Sequence, residues 1–139
     1  MYSKILFPTD GSDESAAVLE HAVDLAQQYD ATLEGLFVGD QRSYAGMAGD
    51  MDREQIREAQ AEVGEEALDR VRSAGESEGI DVATTQSVGV PADEILEVAG
   101  EDDVDLIVMG THGRTGIKRA LLGSVAERVV RQSPIPIHL

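Results

Sequence analysis

Short apolar runs alternate with longer amphipathic segments along the whole chain, and this alternation restricts the fold more than any other feature. The first run, Ile5-Leu6-Phe7, contains no polar residue, which is typical of a strand covered on both faces. Right-handed helical crossovers between such strands predict a single doubly wound α/β domain over residues 1–139, with helices on both faces of a parallel five-stranded sheet. The predicted strands are 5–7, 32–38, 81–88, 105–109 and a last one from residue 135.

A glycine-rich loop follows the fourth predicted strand. Gly110, Gly113 and Gly123 stand at the spacing G-x2-G-x9-G-S, and a helix is predicted from Ser124. Glycine lets a backbone approach an anion closely and adopt positive φ. Ser124 is predicted to cap the helix, where its hydroxyl and the first free N–H groups can meet a phosphate. Ligands of parallel α/β sheets bind at this end of the strands, so the loop predicts a phosphate site.

The charge of the chain is strongly negative and unevenly distributed. Its 27 acidic and 11 basic residues give a net charge of −16, which argues against nucleic acid as a partner and favours a salt-rich cytoplasm. Five of the basic residues nevertheless follow Gly110, where Glu127 is the single acid. A polyanionic ligand explains this cluster most simply. The five are Arg114, Lys118, Arg119, Arg128 and Arg131.

The sequence contains no feature that predicts a membrane protein or a disulfide-bonded one. No apolar run has the length of a membrane span, and residues 1–4 lead into a strand rather than a signal peptide. With no cysteine, disulfides and thiolate metal sites are excluded. We therefore expect a cytoplasmic protein.

Motifs at both ends of the chain resemble those of the universal stress protein family. Residues 5–12, ILFPTDGS, are similar to its opening strand and first turn, and 110–130 to its nucleotide-binding loop. Residues 133–137, SPIPI, resemble its last strand. The resemblance implies a Rossmann-like adenine nucleotide-binding fold with strand order 3-2-1-4-5, ATP with Mg²⁺ or Mn²⁺ on its phosphates, and a homodimer through the last strand. The polar loop 39–52 and the early end at Leu139 depart from the family pattern.

The resemblance also assigns site residues. Asp10 is predicted to contact the nucleoside, and it is the single protein group considered for the metal; an Asp turn or helix cap is the structural alternative. Met109 lines the adenine pocket or packs in the core. No catalytic residue is predicted, and His112 faces either phosphate or solvent. The implied nucleoside residues are Pro8, Thr9, Asp10 and Val38, and the implied phosphate residues are Gly110, His112, Gly113, Arg114, Gly123, Ser124 and Val125.

The function implied is that of an ATP-dependent sensor or interaction module in a stress response, with at most weak ATP hydrolysis. One alternative is a nucleotide hydrolase or adenylyl-transferring enzyme of the same broad fold, because Asp10 to Ser15 resemble a serine-glycine-rich pyrophosphate loop. Another is a structural dimer whose glycines only form turns. The sequence does not identify the downstream protein partner.

The last strand is predicted to lie at a sheet edge, where it can pair with a second copy. Pro136 lacks an N–H, so its backbone is predicted to face outward, away from the fourth strand. Ile135 and Ile137 then face the fourth strand, and the N–H and C=O of His138 point outward. His138 and His21 are interpreted as structural residues.

Overall fold

In the part of the chain that the structure describes, five strands and four helices alternate, as the apolar runs and amphipathic segments of the sequence predict. The computed structural model describes residues 2–41, 53–101, 103–111 and 123–139. The order is β1 (Lys4–Thr9), α1 (Asp13–Tyr29), β2 (Thr32–Asp40), α2 (Arg53–Ser77), β3 (Val82–Gly89), α3 (Pro91–Glu101), β4 (Leu106–Val108), α4 (Ser124–Gln132) and β5 (Ile137–His138).

The strands form one parallel sheet in the order β3-β2-β1-β4-β5, which confirms the predicted topology. Ile5 of β1 aligns with Leu33 of β2 on one side and with Leu106 of β4 on the other. The chain therefore leaves β1 in one direction for β2 and returns on its other side with β4. This reversal places the carboxyl ends of β1 and β4 side by side.

Both faces of the sheet are covered, which explains the continuous apolar runs. The face that carries Ile5, Phe7 and Leu33 packs against α1 and α2. Leu6 and Ile107 point the other way and pack against α3 and α4. Fully buried side chains of the two cores include Ile5, Leu6, Phe7, Leu33, Leu36, Ile107, Val71, Val108 and Val129.

Local hydrogen bonds fix both ends of α1. The side chain of Ser12 accepts a hydrogen bond from the backbone N–H of Ser15 at 3.2 Å and is the N-cap of the helix. Asp30 takes the left-handed conformation with φ 52°, and its N–H donates to the carbonyls of Ala26 and Gln27. The helix ends there, and β2 begins two residues later.

Helix α2 approaches the sheet closely through glycine. A Cβ on Gly64 would lie 2.5 Å from Cδ2 of Phe37 and 2.8 Å from Oε1 of Gln86. Beside this contact, Arg72 donates hydrogen bonds to Asp69 and to Thr84 of β3, and the hydrogen bond to Asp69 raises the pKa of the Arg72 guanidinium. The glycine therefore sets the distance between α2 and strands β2 and β3.

Glu34 is a buried acid in the middle of β2, with a side chain that is 3% exposed. Its Oε1 lies 3.1 Å from Nζ of Lys4 on β1, and its Oε2 accepts a hydrogen bond from the hydroxyl of Thr85 on β3 at 3.1 Å. Within the described residues no other acid is buried. Three adjacent strands are thus joined by one carboxylate.

The prediction for the edge strand β5 is wrong in one respect. The carbonyls of Pro136 and His138 accept hydrogen bonds from the N–H groups of Ile107 and Met109, at 3.1 and 3.2 Å, so both residues face β4. Because backbone groups alternate along a strand, Ile137 and Leu139 present their N–H and C=O groups outward instead. The missing N–H of Pro136 is tolerated because β5 begins only at Ile137.

Candidate functional site

The candidate site lies where β1 and β4 end beside each other. The first turn of α1 and the start of the loop after β4 lie 97 residues apart in sequence. A side chain of the first nevertheless accepts a hydrogen bond from the backbone of the second. Ligands of open α/β sheets bind in the crevice at such a reversal of strand order. Residues that bind a ligand are therefore expected in this crevice.

Asp10 forms an Asp turn, which is the structural alternative to nucleoside contact given in the sequence analysis. Its Oδ1 accepts hydrogen bonds from the N–H of Ser12 at 2.9 Å and from the hydroxyl of Ser15 at 3.0 Å. The N–H of Gly11 donates to Oγ1 of Thr9 at 3.2 Å. Gly11 has φ 79°, a conformation that L-residues rarely adopt, so the turn requires glycine there. These contacts hold the Asp10 carboxylate at the carboxyl end of β1.

Glu14, in the first turn of α1, reaches across the crevice to the loop after β4. Its Oε1 accepts two hydrogen bonds from Thr111, one from the backbone N–H at 3.0 Å and one from the hydroxyl at 3.1 Å. A Cβ on Gly110 would lie 3.3 Å from the same oxygen. Glycine at position 110 thus leaves room for the carboxylate. This contact joins the first turn of α1 to the start of the loop after β4.

The beginning of α4 differs from the prediction. Gly123, not Ser124, is the N-cap residue, and no side chain caps the helix. The N–H of Gly123 donates to the carbonyl of Thr111, and its own carbonyl accepts from Glu127 at 2.9 Å. The helix begins one residue too early for a serine cap, because Ser124 is already its first helical residue. Gly123 has φ −66°, a conformation open to any residue, so a positive φ does not explain the glycine at this position.

Four of the predicted site residues are buried or half-buried: Pro8, Val38 and Met109, predicted near the nucleoside, and Val125, predicted near the phosphates. Pro8 is buried and aligns with Leu36 of β2. Met109 is 5% exposed and belongs to the core beneath α3 and α4, so it packs as the sequence analysis allowed. Val38 and Val125 are half-buried and contact the same core.

Two of the five clustered basic residues form ion pairs with carboxylates of the protein. Arg128 forms an ion pair with Asp93, joining α4 to the first turn of α3. Arg131 pairs with Glu127 one helical turn earlier, at 3.2 Å. These pairs account for part of the charge cluster without a ligand. The predicted positions His112, Gly113, Arg114, Lys118 and Arg119 lie outside the described residues.

Three contributors to the site were not predicted from the sequence. The buried Ser15 donates a hydrogen bond from its hydroxyl to Asp10, and the contact between Glu14 and Thr111 joins the first turn of α1 to the loop after β4. One signal for Glu14 exists in the sequence, because it is an acid in the first turn of the helix that follows β1. Strand β1 neighbours β4, which leads into the glycine-rich loop. The reach of Glu14 depends on the side-chain conformation, which spacing does not report.

The described ranges contain no group of three or more His, Cys, Asp or Glu side chains able to hold a metal. His21 and His138 are exposed there, with ring centroids 6.5 Å apart. No helix in the same ranges is long and apolar enough to cross a membrane.

The sheet order defines a doubly wound α/β protein whose strand order reverses between β1 and β4, the position at which proteins of this class bind ligands. The chain belongs to the universal stress protein family, whose sequence model matches residues 1–139. The family expectation drawn from the terminal motifs is thereby confirmed.

Relatives of known sequence or structure span nearly the whole chain. The universal stress protein MJ0531 of Methanocaldococcus jannaschii is 43% identical over 137 residues, covering 99% of this chain and 81% of that protein. The solved structure of MJ0577 from the same organism has a TM-score of 0.82 and 34% identity, covering 99% and 94%. A universal stress protein solved in complex with cAMP has a TM-score of 0.69 and 28% identity, covering 99% and 94%.

Proposed function

We propose that this protein binds ATP, with Mg²⁺ or Mn²⁺ on the phosphates, and acts as a nucleotide-dependent sensor or interaction module in a stress response. Binding, rather than turnover, is the proposed activity, with at most weak ATP hydrolysis. The protein would work in the cytoplasm. Its acidic composition, with a net charge of −16, suits a cytoplasm rich in salt.

The contact between Glu14 and Thr111 is the observation that carries the proposal. It brings the turn after β1 and the loop after β4 to one crevice, with hydrogen bonds of 3.0 and 3.1 Å. Both segments belong to the motif pair that resembles the family's nucleotide site. The cAMP complex of a relative with 28% identity supports an adenine nucleotide as the class of ligand.

In the proposed complex the nucleoside lies over β1 and β2, and the phosphates lie at the loop after β4. The backbone of Val38 would read the adenine edge, and Asp10 would accept hydrogen bonds from the ribose. The N-terminus of α4 contributes free N–H groups, which favour an anion. Carboxylate oxygens such as those of Asp10 and Glu14 fit Mg²⁺, which commonly binds one or two carboxylates together with phosphates.

The described hydrogen bonds weigh against the enzyme alternative, which needs a pyrophosphate loop after β1. There the Ser12 side chain accepts from Ser15 as the cap of α1, and the Ser15 hydroxyl donates to Asp10. Both side chains thus serve the turn itself. No observation in the described residues favours catalysis by this segment, so nucleotide binding remains the proposed activity.

Two measurements test nucleotide binding. Mass spectrometry of the supernatant after denaturation identifies any carried nucleotide, and calorimetry with Mg²⁺ compares ATP with GTP. We expect ATP to bind and to outcompete GTP, because a backbone-read pocket distinguishes the two purine edges. A folded protein that binds no ATP at low or molar KCl would refute the proposal.

Gly113→Val tests the position of the phosphates. A branched side chain in the loop fills space meant for the ligand, so we expect ATP affinity to fall at least ~100-fold, which is about 2.7 kcal/mol. Gly100→Ala is the matched control, because a Cβ on this exposed helical glycine meets nothing within 4 Å. Wild-type affinity in Gly113→Val would place the phosphates elsewhere.

We further propose a homodimer formed by the outward edge of β5. The N–H and C=O groups of Ile137 and Leu139 are available for antiparallel pairing around a two-fold axis. Exposed Val130, on the helix before β5, would add apolar contact area. Light scattering is expected to report a dimer at micromolar concentration, weakened by deletion of His138 and Leu139. A monomer at high concentration and high salt would contradict this.

A further inference from the structure

Two of the three histidines of the chain meet at the sheet edge formed by β5. His21 lies on α1 and His138 on β5; both are exposed, and their ring centroids are 6.5 Å apart. His138 aligns with Val108 of β4, which belongs to the core beneath α1, so His138 lies on the face of the sheet that α1 covers. The two imidazoles thus lie on one side of the sheet, and neither residue belongs to the predicted nucleotide site.

The separation of the two rings suits a metal ion bound between them. Zn–N bonds of about 2.0–2.1 Å place the metal about 3.2 Å from the centroid of each ligating ring, so two such rings stand about 5–6.5 Å apart. The observed 6.5 Å lies at the upper end of this span. Exposed side chains rotate freely, and imidazole is a preferred ligand of Zn²⁺. A small rotation of the rings therefore suffices to bring both onto one ion.

One histidine pair leaves the coordination of such an ion incomplete. Structural zinc sites take four protein ligands in tetrahedral geometry. Among the described residues no third His, Cys, Asp or Glu joins the pair to form a metal-binding group. Two further ligands are needed, and the open edge of β5 indicates where they come from.

Backbone hydrogen bonds around β5 favour one register for pairing with a second copy. Ile135 is already engaged, because its N–H donates to Oγ of Ser133 at 3.2 Å and its carbonyl accepts from the same hydroxyl at 2.9 Å. An antiparallel partner therefore forms most bonds when Ile137 of each copy pairs with Leu139 of the other. His138 then lies opposite its counterpart in the second copy, with Cβ atoms about 4.5–5.5 Å apart on one face. The two-fold axis gathers four imidazoles.

We propose that His21 and His138 of two copies form one Zn²⁺ site on the dimer axis, and that zinc strengthens the homodimer. This inference rests on the proposed homodimer and is independent of nucleotide binding. Each copy carries a net charge of −16, so repulsion opposes association, and a cation on the axis offsets it locally. Assembly of the protein then responds to the supply of a transition metal.

His21→Gln and His138→Gln test the site, since each removes two of the four ligands of the dimer. His112→Gln is the matched control, because it removes the third histidine of the chain, which is not part of the pair. Mg²⁺ is the control ion, because it prefers oxygen ligands. All proteins are used without a histidine tag and free of nucleotide, and circular dichroism verifies that each is folded.

Calorimetry with Zn²⁺ measures affinity and stoichiometry, and light scattering measures dimerisation in EDTA and in Zn²⁺ at one fixed ionic strength. We expect one Zn²⁺ per two chains and a tighter dimer in Zn²⁺ than in EDTA. Each variant of the pair should bind Zn²⁺ at least ~100-fold more weakly, because even loss of a ligand's own hydrogen-bond partner costs about 10–100-fold. His112→Gln should match wild type, and Mg²⁺ should not strengthen the dimer.

The possible outcomes separate this inference from the proposed function. Wild-type Zn²⁺ affinity in either variant of the pair overturns the site, and one Zn²⁺ per chain overturns its completion by a second copy. A dimer that is equally tight in EDTA and in Zn²⁺ overturns the role of zinc and leaves the proposed homodimer intact. A wild-type monomer in both conditions overturns the homodimer and this inference together, whereas nucleotide binding is decided by the separate ATP titrations.

Discussion

Glu34 shows how one side chain stabilises three strands at once. Its carboxylate is buried, and Lys4 is the cation that compensates the charge, at 3.1 Å. Removal of one partner from a buried ion pair is costly because the other charge stays desolvated. We expect Lys4→Met to lower the free energy of unfolding by about 2–3 kcal/mol, below the range for fully buried pairs since the Lys4 side chain is 28% exposed.

Glu34→Gln in the Lys4→Met background is the control for that prediction. Glutamine keeps an acceptor for the Thr85 hydroxyl and removes the buried charge. Most of the lost stability should return in the double variant, as measured by urea denaturation. If the double variant is as unstable as Lys4→Met alone, packing rather than charge determines the loss.

Side-chain contacts mark the limit of the sequence analysis at this scale. Asp10 and Ser12 could be placed because turns and caps involve neighbours in sequence. Glu14 and Ser15 could not, since their partners depend on the conformation of the side chain within the fold. Ser124 was assigned as a cap one residue too late, an error typical of helix boundaries, which spacing alone does not fix.

At the scale of the elements, α2 is held against the sheet by the absence of a side chain at Gly64. A Cβ there would lie 2.5 Å from Phe37, which is buried and cannot move freely. Overpacking of this kind costs about 1–3 kcal/mol, and the gain in helix propensity offsets up to about 1 kcal/mol. We expect Gly64→Ala to lower the free energy of unfolding by about 1–2 kcal/mol.

Gly100→Ala is the contrasting variant in α3. A Cβ at this position meets nothing within 4 Å, so the change should only improve helix propensity and raise stability by about 0.5 kcal/mol. Urea denaturation of both variants measures the difference between them. If alanine changes the free energy of unfolding by the same amount at both positions, that result contradicts the close approach of α2 to the sheet.

The order of the elements was predictable because apolar runs and helical spacing are local properties of the sequence. The orientation of β5 was not. Pro136 restricts a strand by its missing N–H, yet whether the residue lies inside the ladder depends on where the strand begins. In the structure β5 starts two residues later than predicted, at Ile137, and the proline needs no outward position.

At the scale of the whole molecule, self-repulsion among acids is the dominant long-range effect. The chain carries 27 acids against 11 bases, and nearly all described acids lie outside the core. Salt shortens the range of this repulsion to a few ångströms at molar concentration. We therefore expect the melting temperature to rise between low and molar KCl, as followed by circular dichroism. A melting temperature that salt leaves unchanged or lowers would contradict this.

The position of β1 between β2 and β4 also determines when the crevice can first exist. Strands β1, β2 and β3 are neighbours in both sequence and space, so they can associate while the chain is still being synthesised. Thr111, the partner of Glu14, is separated from it by 97 residues. Closing so long a loop is slow compared with local pairing. A growing chain therefore carries a sheet with an open edge at β1 until β4 emerges and occupies it, and the crevice is completed among the last parts of the molecule.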